Sequence, residues 1–171
     1  MFVTKNIKNI LEQKEISLKD LAKLLGYGHG GLSNMINGKT PFTDPVMKKL
    51  LPVLEITQKE FESWVLADKY PKEVLELALE VKKGFPYKRK SILTTNIDLI
   101  LKNKGMSRTA LAKEINYSQS GLNRMIIGQI SMSQSVIERL SINLDIPETK
   151  LKSWIAADKY SLQILELAIN I

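Results

Sequence analysis

Apolar residues along this chain recur at intervals of three and four, the spacing that places them on one face of an α-helix. Ile7, Ile10 and Leu11 show the interval near the start, and Ile97 and Leu101 show it again in the second half. No segment alternates apolar and polar residues as a half-buried β-strand would. The pattern therefore predicts an all-α fold built from short helices.

Turn and capping residues predict where these helices begin and end. One helix opens at Ser17, where Asp20 three residues later forms a variant of the capping box, and it ends near Leu25. Gly26 then stands where the chain must turn with a positive φ, and Asn116, which tolerates this conformation, takes the same place in the second half. Further helices are predicted over about 4–13, 28–37 and 118–127, from near Asp44, and after Pro71.

The chain contains one sequence twice. Sliding it by 90 positions aligns the halves without a gap and gives about 30 identities over roughly 81 pairs. Matching segments include GLSNMINGK with GLNRMIIGQ, SWVLADKY with SWIAADKY, and LELA in both halves. We therefore predict two domains, at residues 1–81 and 91–171, joined by a basic linker at 82–90.

The net charge of +7 is concentrated between the repeats. The first repeat is neutral, with eleven lysines and eleven acidic residues, and the second has nine cations and seven acids. The linker carries five cations, which are Lys82, Lys83, Lys88, Arg89 and Lys90. It is therefore either a solvated tether or an arm that binds nucleic-acid phosphates with release of counterions.

The residue types that most catalytic and metal sites need are scarce. The chain has no cysteine and a single histidine, His29, so zinc sites and histidine-based triads lack their parts. No nucleophile beside a base and no paired carboxylates emerge, so we expect neither an enzyme nor a cofactor or metal. No apolar run approaches the roughly 20 residues that span a bilayer, and the start lacks the order of a signal peptide. We expect a cytoplasmic protein with an anionic partner, nucleic acid first, and no membrane association.

Small, turn and apolar residues in the second predicted helix and after it form a spaced motif. Ala22 stands where two helices cross, Gly26 makes the turn, Leu32 and Met35 lie on the inner face of the next helix, and Gly38 ends it. With the downstream VMKKLLPVLEIT, this motif resembles the Cro/CI-type helix-turn-helix family of phage repressors and bacterial regulators. The second repeat fits through VIERLSINLDIP and through Ala112, Asn116, Leu122, Met125 and Gly128.

The resemblance covers about 5–62 and 95–152. It implies two tandem lambda-repressor-like bundles. The sequence pattern adds further C-terminal helices to each bundle, and these lie outside the family pattern. The resemblance also implies that the helix after the turn, called here the recognition helix, enters the major groove of double-stranded DNA.

Base contacts are implied for exposed positions of the recognition helices. In the second repeat these are Gln119, Ser120, Asn123 and Arg124, whose amide and guanidinium groups suit bidentate contacts to adenine and guanine. In the first repeat they are His29, Gly30, Ser33 and Asn34. A solvated helix face without a DNA role would also be polar.

Phosphate contacts are implied around the same helices. Ser118 either caps its helix or contacts phosphate. The other candidates lie early in the preceding helix, in the loop after the recognition helix, or in the linker: Lys19, Arg108, Lys39, Thr40, Gln129, Lys82, Lys83, Lys88, Arg89 and Lys90.

Glycines replace side chains at the start of the first recognition helix. Gly31 is matched by Gly121, which indicates close packing, whereas Gly28 and Gly30 have no glycine counterpart. Three explanations stay open: the glycines let backbone N–H groups approach phosphate, they mark a repeat that binds a protein, or they reflect drift after loss of a DNA role.

The repeated C-terminal segments carry residues that favour structural roles. Trp64 and Trp154 are predicted to pack in the core, and Asp68 and Asp158 to make polar contacts at a helix end. The apolar stripe of these helices suits packing within the chain, a homodimer or another protein partner.

These observations predict a sequence-specific DNA-binding protein, a bacterial or phage transcriptional regulator that acts as a covalent pseudo-dimer on nonidentical half-sites. The alternative is a protein-interaction module, such as an antirepressor, antitoxin or assembly factor, that uses the same fold.

Overall fold

The structure, a computed structural model, describes residues 1–86 and 90–171. Within those ranges all regular structure is helical, which confirms the predicted all-α fold. None of the helices in the described part of the chain is long and apolar enough to cross a bilayer. The helices are α1 (Phe2–Gln13), α2 (Leu18–Leu25), α3 (His29–Ile36), α4 (Asp44–Leu54), α5 (Gln58–Lys69), α6 (Lys72–Gly84), α7 (Ile92–Asn103), α8 (Arg108–Glu114), α9 (Gln119–Ile126), α10 (Gln134–Leu144), α11 (Glu148–Lys159) and α12 (Leu162–Ile169).

The chain divides into two compact units. The first unit contains Met1–Pro71 together with Glu166–Ile171, and the second contains Lys72–Leu165. These bounds differ from those of the sequence repeats, because α6 belongs to the second unit and its last residues fall within the predicted linker. The division into repeat domains at 1–81 and 91–171 stays a prediction.

Equivalent positions of the two repeats form the core of each unit. The side chains that are fully buried in the first helices of one repeat recur 90 residues later in the other. Each aliphatic side chain removed from water contributes about 1.5–3 kcal/mol. Such pairs include Ile7 with Ile97, Leu21 with Leu111, Leu32 with Leu122, and Leu50 with Leu140.

The carboxylate of Asp158 caps the first helix of its own repeat. It accepts hydrogen bonds from the backbone N–H groups of Ile92 (2.7 Å) and Leu93 (3.0 Å), and from the hydroxyl of Ser91 (2.7 Å). The first amides of a helix have no partner within the helix, and the positive end of its dipole favours an anion. Asp158 therefore ties the end of α11 to the start of α7.

Asp68 makes the same contact in the first repeat. Its two carboxylate oxygens accept from the N–H groups of Phe2 (2.5 Å) and Val3 (3.0 Å). The predicted helix-end contact is confirmed for both aspartates. The helix end in question is the start of the repeat, more than 60 residues away in sequence.

The tryptophans also pack as predicted. Trp154 is only 3% exposed, and half-buried Trp64 lies against Phe61 with ring centroids 6.1 Å apart. Phe61 in turn meets Phe42 edge to face at 5.0 Å. These aromatic rings consolidate the helical cores.

Replacing Asp158 with alanine should destabilise the second unit. Three hydrogen bonds to a charged acceptor are lost, so we expect the free energy of unfolding to fall by about 1–3 kcal/mol in urea titrations. The control is Glu114→Ala, at the exposed end of α8, for which a change within about 0.5 kcal/mol is expected. Equal effects of the two substitutions would contradict the capping role.

Candidate nucleic-acid interface

The turn between the two helices of the motif needs a left-handed residue in both repeats. Gly26 ends α2 with φ 73° and ψ 33°, and Asn116 follows α8 with φ 50°. An ordinary residue loses about 1–2 kcal/mol in this conformation, whereas glycine and, to a lesser degree, asparagine adopt it readily. Both predicted positive φ angles are confirmed.

A cation from the fourth helix of each repeat fixes this turn. The Nζ of Lys49 donates to the carbonyl of Leu25 at 3.0 Å, and the Nη1 of Arg139 donates to the carbonyl of Ile115 at 2.8 Å. Both acceptors lie at the C-terminal end of the first motif helix, where the helix dipole favours positive charge. The turn is thereby attached to α4 in one repeat and to α10 in the other.

A threonine holds the far end of each recognition helix. Thr4 donates its hydroxyl to the carbonyl of Ile36 at 2.8 Å, and Thr94 donates to the carbonyl of Ile126 at 3.0 Å. These threonines and the cations of the preceding contact are not among the residues predicted for the site. The available signal was the repeat itself, since threonine is identical and the cationic charge is retained at the paired positions.

The recognition helix of the second repeat, α9, has distinct inner and outer faces. Leu122, Met125 and Ile126 are buried against the rest of the bundle. The predicted base-contacting residues lie opposite or beside this face: Gln119, Ser120 and Arg124 are exposed, and Asn123 is half-buried.

The recognition helix of the first repeat, α3, is oriented in the same way. Leu32 and Ile36 are buried. The predicted base-contacting positions are again outward, with His29, Gly30 and Asn34 exposed and Ser33 half-buried. The Oγ of Ser33 lies 3.3 Å from the Nδ2 of Asn37, which donates to it.

The two recognition helices differ at their N-termini. Ser118 caps α9 by accepting a hydrogen bond from the N–H of Gly121 at 3.2 Å. Of the two roles predicted for Ser118, helix cap or phosphate contact, the structure therefore shows the helix cap. Gly28 occupies the same position before α3 and provides no side-chain cap. The N–H of Gly31, the counterpart of Gly121, therefore has no side-chain acceptor. The first two N–H groups of both helices, at His29 and Gly30 and at Gln119 and Ser120, have no acceptor among the described residues.

Close packing was predicted for both Gly31 and Gly121. The prediction is confirmed for Gly121 and wrong for Gly31. A Cβ on Gly121 would lie 2.7 Å from the Oγ of Ser118 and 2.7 Å from a ring carbon of Tyr117. A Cβ on Gly31 would meet nothing within 4 Å, and the same holds at Gly28 and Gly30. The first repeat lacks both the serine cap and this tyrosine contact, so its glycines are surrounded by open space.

Arg108 forms an ion pair in the second repeat. Its guanidinium binds the carboxylate of Asp98 with two contacts, Nε at 2.8 Å and Nη2 at 2.7 Å, and its Nη1 lies 3.5 Å from the Oδ1 of Asn123. A planar guanidinium pair of this kind is geometrically specific. It connects α7 and α8 to a predicted base-contacting side chain, so Arg108 orients Asn123 as well as lying where a phosphate contact was predicted.

The first repeat lacks this ion pair. The positions of Arg108 and Asp98 hold Leu18 and Lys8, and that of Asn123 holds Ser33. An open groove of about 510 Å³ lies there between α1, α2 and α3. The residues beside the recognition helix therefore differ more between the two repeats than the turn, cation and threonine contacts that hold the helix.

The remaining predicted phosphate contacts lie at several places. Lys82 donates to the carbonyl of Ala157 within the second unit. In the loops after the recognition helices, the N–H groups of Lys39 and Gln129 donate at 2.8 Å to Asn34 and Arg124 carbonyls, which leaves only side chains to contact phosphate. The other described candidates are all exposed: Lys19, Thr40, Lys83 and Lys90. Lys88 and Arg89 lie outside the described residues.

In each repeat the turn, cation and threonine contacts hold a recognition helix whose outer face is polar. This arrangement defines a tandem helix-turn-helix protein. A family model described as helix-turn-helix matches the chain twice, at residues 7–61 and 97–151, which together cover more than half of it. The chain belongs to this Cro/CI-type helix-turn-helix family, whose members are DNA-binding regulators and not enzymes. No curated protein and no solved structure matches the chain significantly.

Alanine substitution of the paired glycines should have opposite effects on stability. Gly31→Ala is expected to raise the free energy of unfolding by about 0.5–1 kcal/mol, because alanine favours the helix and its Cβ enters open space. Gly121→Ala should lower it by about 1 kcal/mol, because the new Cβ displaces the Ser118 cap. Thermal and urea unfolding of each variant measure the difference, and a gain in both variants would rule out the packing role of Gly121.

Proposed function

We propose that the protein binds double-stranded DNA sequence-specifically and regulates transcription as a covalent pseudo-dimer on two nonidentical half-sites. The observation that carries this proposal is the pair of recognition helices, held by the same turn, cation and threonine contacts but presenting different outer faces. Because the same contacts hold both recognition helices, we expect both helices to dock in the major groove in the same way. Because their outer faces carry different side chains, we expect them to bind different base sequences.

The second repeat supplies most of the sequence discrimination. The amide of Gln119 suits the N6 and N7 atoms of adenine, and the guanidinium of Arg124 suits the O6 and N7 atoms of guanine. Asn123 adds a second amide, whose orientation is supported by Arg108 at 3.5 Å. These groups lie within two turns of one helix and so face neighbouring base pairs.

The first repeat contributes contacts through its backbone. Of the three explanations for its glycines, we favour a close approach to phosphate. The N–H of Gly31 lacks the serine acceptor that the N–H of Gly121 has, and no side chain at Gly28 or Gly30 blocks access to the first turn of α3. A helix N-terminus with free amides attracts anions. His29 and Asn34 then provide the side-chain contacts of this half-site.

Covalent connection strengthens the pair. A conventional repressor brings two chains to half-sites about 34 Å apart, whereas here binding of one repeat raises the effective concentration of the other. The cations of 82–90 that follow Lys82, whose own ammonium group donates to the carbonyl of Ala157, add affinity for phosphate that does not depend on base sequence.

The neutral first repeat favours a second candidate function, in which this repeat recruits a protein. Its eleven lysines balance its eleven acids, so it adds no net electrostatic attraction to DNA. A homodimer or protein partner on the C-terminal helices stays a prediction, and the buried side chains of Val74, Leu75 and Ala78 are not part of such a surface. Binding to a random-sequence DNA pool at several salt concentrations separates the two functions. Absent or salt-insensitive binding would exclude the DNA function.

Removing the proposed base contacts should relax sequence preference. Gln119→Ala and Arg124→Ala are each expected to reduce discrimination against the wrong base by about 1–3 kcal/mol. Selected-site enrichment followed by binding to single-base variants measures this loss. Lys150→Ala, which removes a cation from α11, is the control and should leave the preference unchanged. Equal weakening of binding to all DNA sequences would show that Gln119 and Arg124 contact only phosphate.

Neutralising the linker should weaken binding to every sequence. In the variant with Lys88, Arg89 and Lys90 replaced by alanine, the slope of log K against log salt should become shallower by up to about 0.9 for each lost phosphate contact. A control with Lys150, Lys152 and Lys159 replaced removes the same charge from α11. If both variants show the same slope, the linker cations have no specific role.

A further inference from the structure

The last helix of the first repeat lies in the second compact unit. Sequence similarity assigns α6 to the first repeat, whereas the fold groups Lys72–Leu165 together. We propose that the two repeats exchange their last helices, so that each helix-turn-helix unit is completed by a helix from the other repeat. This proposal rests on packing alone and does not depend on DNA binding.

Helix α6 packs along α11 of the second repeat. Val74, Leu75 and Ala78 are at most 1% exposed, so this part of the apolar stripe of α6 is buried, and Leu77 and Val81 are half-buried. On α11, Ala156 and Ala157 are 0% exposed, and small side chains let helices approach closely. Helix α6 is therefore a core element of this unit.

A polar contact fixes the C-terminal part of the same helix. The ammonium group of Lys82 donates to the backbone carbonyl of Ala157, near the C-terminal end of α11. A cation suits this position because the carbonyls of the last turn carry partial negative charge. Lys82 thus holds α6 and α11 in register, which a solvated tether residue would not do.

The last helix of the chain shows the reciprocal arrangement. Helix α12 is the counterpart of α6, since both contain LELA at positions 90 residues apart. Its second half and the residues after it, Glu166–Ile171, belong to the unit formed by Met1–Pro71, whereas its first four residues, Leu162–Leu165, group with the second unit. Ala168, the equivalent of Ala78, is 4% exposed. The grouping of α6 with the second unit and of Glu166–Ile171 with the first supports the exchange.

The exchange changes the role of the segment between the repeats. Residues that follow α6 connect it to α7, and both helices lie in the second unit. The segment is therefore flanked on both sides by helices of one unit. The chain passes from the first unit to the second after Pro71 and returns to the first after Leu165.

Crossed stability measurements on the full chain test the proposal. Trp64 reports on the first unit in a Trp154→Phe background, and Trp154 reports on the second in a Trp64→Phe background. Ala78→Glu places a charge in the contact of α6. We expect the thermal midpoint reported by Trp154 to fall by at least about 5 °C and by clearly more than that reported by Trp64. Ala168→Glu should give the opposite order.

A control and a milder variant keep the experiment decisive. Glu76→Gln, at an exposed position of α6, should shift neither midpoint by more than about 2 °C. If Ala78→Glu prevents folding, Ala78→Ser and Ala168→Ser are measured, and the same crossed order is expected with smaller shifts. A larger fall in the Trp64 signal for substitutions at Ala78 would overturn the exchange, as would equal falls in both signals for every variant.

Discussion

In each repeat, one aspartate carboxylate binds the N-terminus of the first helix. Asp158 accepts three hydrogen bonds at the start of α7, and Asp68 accepts two at the start of α1. The capped helix then carries the threonine, Thr4 or Thr94, that holds the end of the recognition helix. The orientation of the recognition helix therefore depends on a contact at the far end of its repeat, which is the reason the ADKY segment matters although it lies outside the helix-turn-helix motif.

The two repeats share the contacts that hold the recognition helix but differ in the side chains on its outer face. Core positions, the left-handed turn and the cation that fixes it are matched between repeats. The surroundings of the recognition helix are not matched, because an Arg108–Asp98 pair in one repeat is replaced by Leu18 and Lys8 in the other. Since core changes cost stability and exposed changes cost little, duplication followed by divergence leaves this combination of a retained scaffold and altered surface.

Features that depend on neighbouring residues were predictable. The positive φ of Gly26 and Asn116 and the caps at Ser17 and Ser118 follow from sterics and hydrogen bonds within one turn of helix. Packing at Gly31 was not predictable, although its partner Gly121 is closely packed. The reason is that the contact is made by Tyr117 and Ser118, and the first repeat retains only the tyrosine, at residue 27.

The sequence by itself determined the helical class, the duplication, the helix-turn-helix family and the polar positions of the recognition helices, because these follow from periodicity and residue spacing. It also indicated that the stripe on α6 is buried. Only the tertiary structure decided what covers that stripe, which helix Asp68 caps and with which residue Arg108 pairs. Each of these is a contact between distant segments, and an apolar stripe or a charged side chain specifies the kind of partner it needs but not where in the chain that partner lies.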